Sequence, residues 1–287
     1  MSPADPSPAL RPSRGAGISL LRSEIVVLFR RTRTIALLGA LALIPVLLAV
    51  AVRVASDDSD GGGDGPAFLG DITRNGLFVS LTALTVAIPL FLPLTVGVVA
   101  GDTIAGEAGL GTLRYLLVSP VGRVRLLLVK YAGAALFCLA GTLVVVVFGA
   151  IAGAALFPIG PVTLLSGQTI GYGDYALRML LMALYVTVSL LGLSAIGLFI
   201  STLTSVPVGA MAATIVLSTV SQILDALPQL DALDPWLFTH HWLGFADFLR
   251  DPVVWSNLAD NALLQGGYII VFGALAWARF TTKDILS

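Results

Sequence analysis

Charge is scarce in this sequence. Only 11% of its 287 residues are Asp, Glu, Lys or Arg, where a soluble domain carries about 25%. The deficit falls in long apolar blocks and the mean hydropathy is +0.95, so the class is integral membrane protein. Cysteine is nearly missing. Cys138 stands alone in an apolar run, which rules out an intrachain disulfide and says nothing about redox compartment. Lysine is confined to Lys130 and Lys283. Neither carries the glycine spacing or the following Ser/Thr of a P-loop, so any ATP that drives this protein is bound by another chain. No HExxH and no Cys/His zinc spacing occurs. His240 and His241 are adjacent and would point in different directions on a helix, so interfacial hydrogen bonding is expected there and no metal site. No Ser is paired with His at a recognisable spacing, and no catalytic residue is assigned. A net charge of -1 gives no pointer to nucleic acid.

What remains is apolar sequence in six blocks, each near the ~20 residues needed to cross a bilayer. They run over Thr34–Val54, Asn75–Ala100, Leu126–Leu156, Tyr175–Ile200, Pro207–Leu227 and Leu258–Ala278. Blocks two and three are long enough to tilt or to continue beyond the membrane. Pro45, Pro89 and Pro93 lie inside blocks, where each removes a helix hydrogen bond and predicts a kink. Ahead of the first block, Ile18, Leu21, Ile25, Leu28 and Phe29 share one helical face opposite Ser19, Ser23 and Arg30. This predicts an amphipathic helix over 18–33 lying in the membrane surface, with Arg30, Arg31 and Arg33 at the headgroups. Residues 1–17 are Pro/Ser/Arg-rich, read as a disordered tail, and lack the apolar core of a secretory signal. The membrane domain is taken as 34–279, with 280–287 as a C-terminal tail.

Orientation follows from the basic residues near the block ends. Arg11, Arg14, Arg22, Arg30, Arg31, Arg33, Arg114, Arg123, Arg125, Lys130, Arg279 and Lys283 fall on the N-terminal side, against Arg53, Arg74, Arg178 and Arg250 on the other. Both termini are therefore expected in the cytosol. On the outer side, residues 56–65 (SDDSDGGGDG) read as a solvated acidic loop. Residues 228–255 mix aromatics with acids, which predicts short helices dipping into the outer leaflet with Trp236, Trp242 and Trp255 at the interface.

Two short motifs compete for attention. Thr169–Asp174 reads TIGYGD and matches a potassium-channel filter, in which backbone carbonyls replace the ion's water shell. Pro158, Gly160, Pro161 and Gly167 leave little room for the pore helix a filter requires, and Asp174 equally suits a capped turn at the start of the fourth block. GYGD is also similar to the GxGD element of intramembrane aspartyl proteases, but the second mid-membrane aspartate is missing. The more telling stretch is Gly101–Lys130. Asp102 and Glu107 leave the second block; Leu110, Leu113, Leu116 and Leu117 form an apolar face beside Arg114 and Tyr115; Ser119-Pro120 ends that helix. Arg123, Arg125 and Lys130 then open the third block. A short amphipathic helix with charges of both signs on the cytosolic side is a docking element.

The run D-x-I-A-G-E-x-x-x-G-T-L-R-Y-L-L-x-S-P-V-x-R, from Asp102 to Arg123, resembles the cytosolic loop of ABC-2 type transporter permeases. The similarity continues in the order of elements after residue 17 and in the Ser201–Pro207 turn (STLTSVP). Ala108, Gly109 and Leu110 depart from it, since that family often carries more charge after the glutamate. The resemblance implies an all-α membrane protein: an interfacial helix, six spans, a cytosolic coupling helix between spans two and three, and short outer helices between spans five and six. It implies an exporter half in the plasma membrane, a second permease copy, and two separate ATPase subunits that hold ATP and Mg, with no cofactor on this chain. Asp102, Glu107, Thr112, Leu113, Arg114, Tyr115, Pro120 and Arg123 would serve the ATPase contact. Spans two and five offer Ser80, Thr82, Thr85, Ser218, Ser221 and Gln222 for a cargo path. With no mid-membrane charge, that path suits a lipophilic or amphipathic cargo, although each hydroxyl can equally bond its own helix. Gly97/Gly101 and Gly149/Gly153 have the spacing that lets helices approach closely.

Overall fold

The computed structural model describes residues 16–57, 72–111, 123–164 and 166–282. It is helical almost throughout. Helix α1 covers Ala16–Arg30, and after a one-residue break at Arg31 helix α2 covers Thr32–Asp57. Helix α3 spans Phe78–Gly109, α4 Arg123–Leu156, α5 Tyr172–Leu203, α6 Pro207–Asp225 and α7 Trp255–Thr282. The six from α2 to α7 are long and apolar enough to cross a membrane. The predicted blocks were each contained in or nearly matched by one of them. The helices run further at most ends, because backbone hydrogen bonding continues past the apolar stretch.

The α5 helix is the axis of the fold. It packs against α3, α4, α6 and α7, while α2 lies on α4 and α1 lies across α4 and α2. Leu84, Ile88, Leu92, Phe137, Met182, Leu190, Leu193 and Ile196 form the apolar centre, each 1% exposed or less. The periphery is just as apolar: Leu47, Leu128, Val208, Val216, Leu263 and Ile270 are all exposed. Lipid is as apolar as leucine, so small and hydroxyl side chains mark the interior instead. Ser80, Ser189, Ser194, Ser201, Thr202, Thr214 and Ser218 are all buried.

Two helix contacts rest on glycine. A Cβ on Gly101 would lie 2.8 Å from the Met211 backbone of α6, and one on Gly153 would lie 1.9 Å from the Gly76 carbonyl oxygen. Gly97 faces Ile215 and Gly149 faces Ser80, so both predicted small-residue pairs sit at real crossings. The proline readings divide. Helix α2 continues through Pro45, whereas Pro89 falls in a five-residue π turn, Ala87–Phe91, that interrupts α3. Pro93 follows directly after that turn inside the continuing helix, where its missing N–H leaves a carbonyl one turn back without its helix donor, so it belongs to the same interruption.

The filter-like motif is not built as a filter. Thr169–Ile170 is a strand (β2) paired antiparallel with Val162–Thr163 (β1), in the register Val162↔Ile170. Tyr172–Asp174 is the first turn of α5, and the Gly171 carbonyl accepts the Tyr175 N–H at 3.0 Å. That hairpin and helix start take up the backbone that an ion would need, which corrects the alternative reading of this chain as a potassium channel.

Residues 228–250 fold into 3-10 turns at the end of the bundle opposite α1. They are anchored by Phe238, Trp242, Phe245 and Phe248, all buried. Of the three tryptophans expected at the interface, Trp236 and Trp255 are exposed, but Trp242 is only 2% exposed and donates through Nε1 to the Ser189 carbonyl at 3.0 Å. Its indole N–H found a partner inside the bundle, which is what burial of tryptophan demands. Asn261 and Gln265, one turn apart on α7, complete the seam. Asn261 Nδ2 donates to Ser189 Oγ at 2.8 Å, and Gln265 Nε2 donates to the Phe238 carbonyl at 2.8 Å.

Candidate functional site

The loop of interest leaves α3 at its basic end, the end that also carries α1. Helix α3 closes with Leu110 N–H on the Gly106 carbonyl, followed by Gly111 at φ +71°, a left-handed stop that glycine adopts without strain. Residues 112–122 lie outside the described residues, and with them Thr112, Leu113, Arg114, Tyr115 and Pro120 of the expected contact. Arg123 opens α4. What the structure does show is the junction from which this loop emerges.

Asp102 and Glu107 are five residues apart on α3. At 3.6 residues per turn they diverge by about 140°, so they address different neighbours. Asp102 Oδ2 faces Arg33 at 3.3 Å and Arg31 at 3.5 Å, where α1 gives way to α2. Glu107 Oε1 pairs with Lys130 Nζ on α4. The same ammonium bonds Glu24 Oε1 of α1 at 2.7 Å. A small cavity runs between the two sets, lined by Glu24, Leu28, Arg31, Thr34, Asp102 and Lys130. Three acids meet three bases, so the junction is neutral as a whole.

Its two halves differ in weight. The Arg31 and Arg33 side chains are 44% and 43% exposed, and pairs of that kind contribute about 0–1 kcal/mol each. The Lys130 side chain is only 4% exposed, and Glu107 is 14%. A charge that deep is tolerated only with its partners in place. Arg33 also reaches the Val98 carbonyl at 3.3 Å and Met211 Sδ at 2.8 Å, which links α2 to α6. Ser201, in the STLTSVP stretch at the end of α5, accepts hydrogen bonds from the Ile104 and Ala105 N–H groups at 2.9 and 2.8 Å. The last turns of α3 are thus held by Arg31 and by side chains from α2, α4 and α5, and Glu24 of α1 joins them through Lys130.

Sequence reasoning found Asp102 and Glu107 but not their partners. Lys130 read as a headgroup lysine and Glu24 drew no notice. The available signal was that a lone lysine one or two turns inside an apolar helix must find acids somewhere. Both acids turn inward to ion pairs within the chain.

The six expected cargo-path residues are dispersed. Ser80 Oγ donates to the Val146 carbonyl of α4 at 3.0 Å. Thr82, Thr85, Ser218 and Gln222 donate to carbonyls of their own helices, and Ser221 shares a hydrogen bond with Thr239 at 2.8 Å. An apolar groove between α3, α4 and α5 includes Ser80 and none of the other five.

A model of the ABC-2 family transporter proteins matches residues 18–230, from α1 through the first 3-10 turn after α6. The comparison with curated proteins gives no match. The matched region contains the charged junction, the loop above it and the first five spans, close to three quarters of the chain. This chain therefore belongs to the ABC-2 transporter family, as the multi-pass permease component of an ABC transporter.

Proposed function

We propose that this permease is half of an exporter, paired with a second copy and driven by two separate ATPase subunits that bind beneath the loop after α3. Lys130 carries the reading, since it joins α1, α3 and α4 through Glu24 and Glu107. Both ends of the loop enter that joined unit, so a force on 112–122 is delivered to three helices together rather than to one. The excess of Lys and Arg at this end supports its placement in the cytosol of a plasma-membrane protein, with both termini on that side. The ATPase contact falls to Thr112, Leu113, Arg114, Tyr115, Pro120 and Arg123, while Asp102 and Glu107 brace the lever from within. The cargo is lipophilic or amphipathic, in keeping with spans that hold hydroxyls but few charges. The 3-10 turns after α6 stand over the outer end and would gate its release. This chain holds no catalytic residue in that scheme; ATP and Mg stay on the partner.

The test is co-purification with a separate P-loop ATPase, which this reading expects to be encoded in a neighbouring gene, followed by measurement of hydrolysis. Arg114→Ala is expected to weaken the complex at least tenfold, about 1.4 kcal/mol, and to lower permease-stimulated hydrolysis accordingly. An unchanged complex and an unchanged hydrolysis rate in Arg114→Ala and Tyr115→Ala together would remove the loop from the ATPase contact.

A further inference from the structure

Three metal-ligating side chains converge at the end of the bundle opposite α1, where the family resemblance assigns nothing. They are Asp225, the last residue of α6; Asp234, in a 3-10 turn; and His240, six residues further on. Their donor atoms all lie within 4.8 Å of one another. His240 Nδ1 is 2.6 Å from Asp225 Oδ1. Asp234 Oδ1 is buried and has no hydrogen-bond partner among the described residues. His241 takes no part: its ring stands against His240 edge to face, and Tyr185 binds its carbonyl.

The charges do not balance with protein groups alone. Two carboxylates sit together, and no arginine or lysine pairs with either among the described residues. Asp225 also ends a helix, where the backbone presents its negative pole. Even a protonated His240 leaves this corner negative, and it leaves the shielded Oδ1 of the half-buried Asp234 without a donor among the described residues. One divalent cation would answer both deficits. One imidazole nitrogen with two carboxylate oxygens suits a first-row transition ion such as Zn2+ better than Mg2+ or Ca2+, which favour all-oxygen shells. Zinc bonds of about 2.0–2.2 Å fit such a cluster after shifts of under about 1 Å.

We propose that Asp225, Asp234 and His240 form a binding site for a divalent transition-metal ion, which clamps the 3-10 segment to the outer end of α6. The inference runs against the expectation that the histidines serve only hydrogen bonding, and it is independent of how the ATPase docks. Coordination would replace the direct Asp225–His240 hydrogen bond and release any proton held there.

The full chain, purified in detergent on a tag without histidine and stripped with chelator, is dialysed against Zn2+ in the presence of millimolar Mg2+, and bound metal is counted. The wild type is expected to hold one zinc per chain more than His240→Ala, and Asp234→Asn to bind at least tenfold more weakly than the wild type. Asp234→Asn keeps the side-chain shape, so it reports on coordination even if His240→Ala perturbs the fold. The acidic stretch 57–64 is unchanged in both variants and so contributes equally throughout. The proposal is overturned if the wild type holds no more zinc than His240→Ala, or if Asp234→Asn binds as tightly as the wild type.

Discussion

Lys130→Met is expected to destabilise the detergent-solubilised protein by about 3–5 kcal/mol, the range found when one partner of a buried ion pair is removed. The methionine fills the space, so the loss is one of charge. Glu24 and Glu107 then lose the ammonium they share, the six-residue junction goes from neutral to one charge negative, and the Glu107 side chain is only 14% exposed. Arg31→Ala should behave quite differently. Its side chain is 44% exposed, Arg33 remains beside Asp102, and the cost should stay under about 1 kcal/mol. Adding Glu107→Gln to Lys130→Met should restore part of the lost stability, because it removes one of the two carboxylates that shared the ammonium. Thermal melts of the four proteins decide the matter. If Lys130→Met melts with the wild type, or if the double variant recovers nothing, the lysine is not holding the junction together.

Gly153→Ala carries the second large effect. Inside a helix this exchange ordinarily stabilises by about 1 kcal/mol. Here the new Cβ would lie 1.9 Å from the Gly76 carbonyl oxygen and 2.7 Å from its carbon. The obstacle is backbone on the facing segment, and it cannot rotate away as a side chain would. Asn75 holds that segment as well, with its Nδ2 on the Gly160 carbonyl at 2.9 Å. Forcing the helices apart at such a contact costs about 1–3 kcal/mol or more, which exceeds the helix gain. Gly273→Ala on α7 is the matched control, since nothing lies within 4 Å of its added Cβ. The control should melt at or above the wild-type temperature and Gly153→Ala clearly below it. Equal melting of the two would show that this crossing has slack.

The six spans were readable because apolar length is a one-dimensional property. A run such as Leu126–Leu156 announces itself without knowledge of its neighbours. Which face of a span lies inward was far less readable. Leu190 is buried and Leu184 exposed on the same helix, and hydropathy cannot separate them when the solvent is lipid. The polar residues did carry that information. Ser80, Ser189 and Gln265 all point inward, and hydroxyls considered for a cargo path prove to be bonded to backbone or to other helices. The candidate site was half legible. Asp102 and Glu107 stood out as charges at a span end, but their pairing depends on where α1 and α4 come to rest. Trp242 was assigned to the interface for the same reason: its burial follows from the 3-10 turns around it and not from its sequence neighbours.

The π turn at Ala87–Phe91 has a mechanical meaning. Leu92 N–H reaches back five residues to the Ala87 carbonyl, so one extra residue is wound into the helix there. Each residue turns an α-helix by about 100°, so the two halves of α3 are out of phase with each other. The half at Phe78–Val86 accordingly lies on α4, and the half at Leu92–Gly109 lies chiefly on α5 and α6. Span two is therefore two short rods on one joint rather than a single shaft. The half that carries Asp102 and Glu107 bears on α5 and α6, and the half beyond the turn bears on α4.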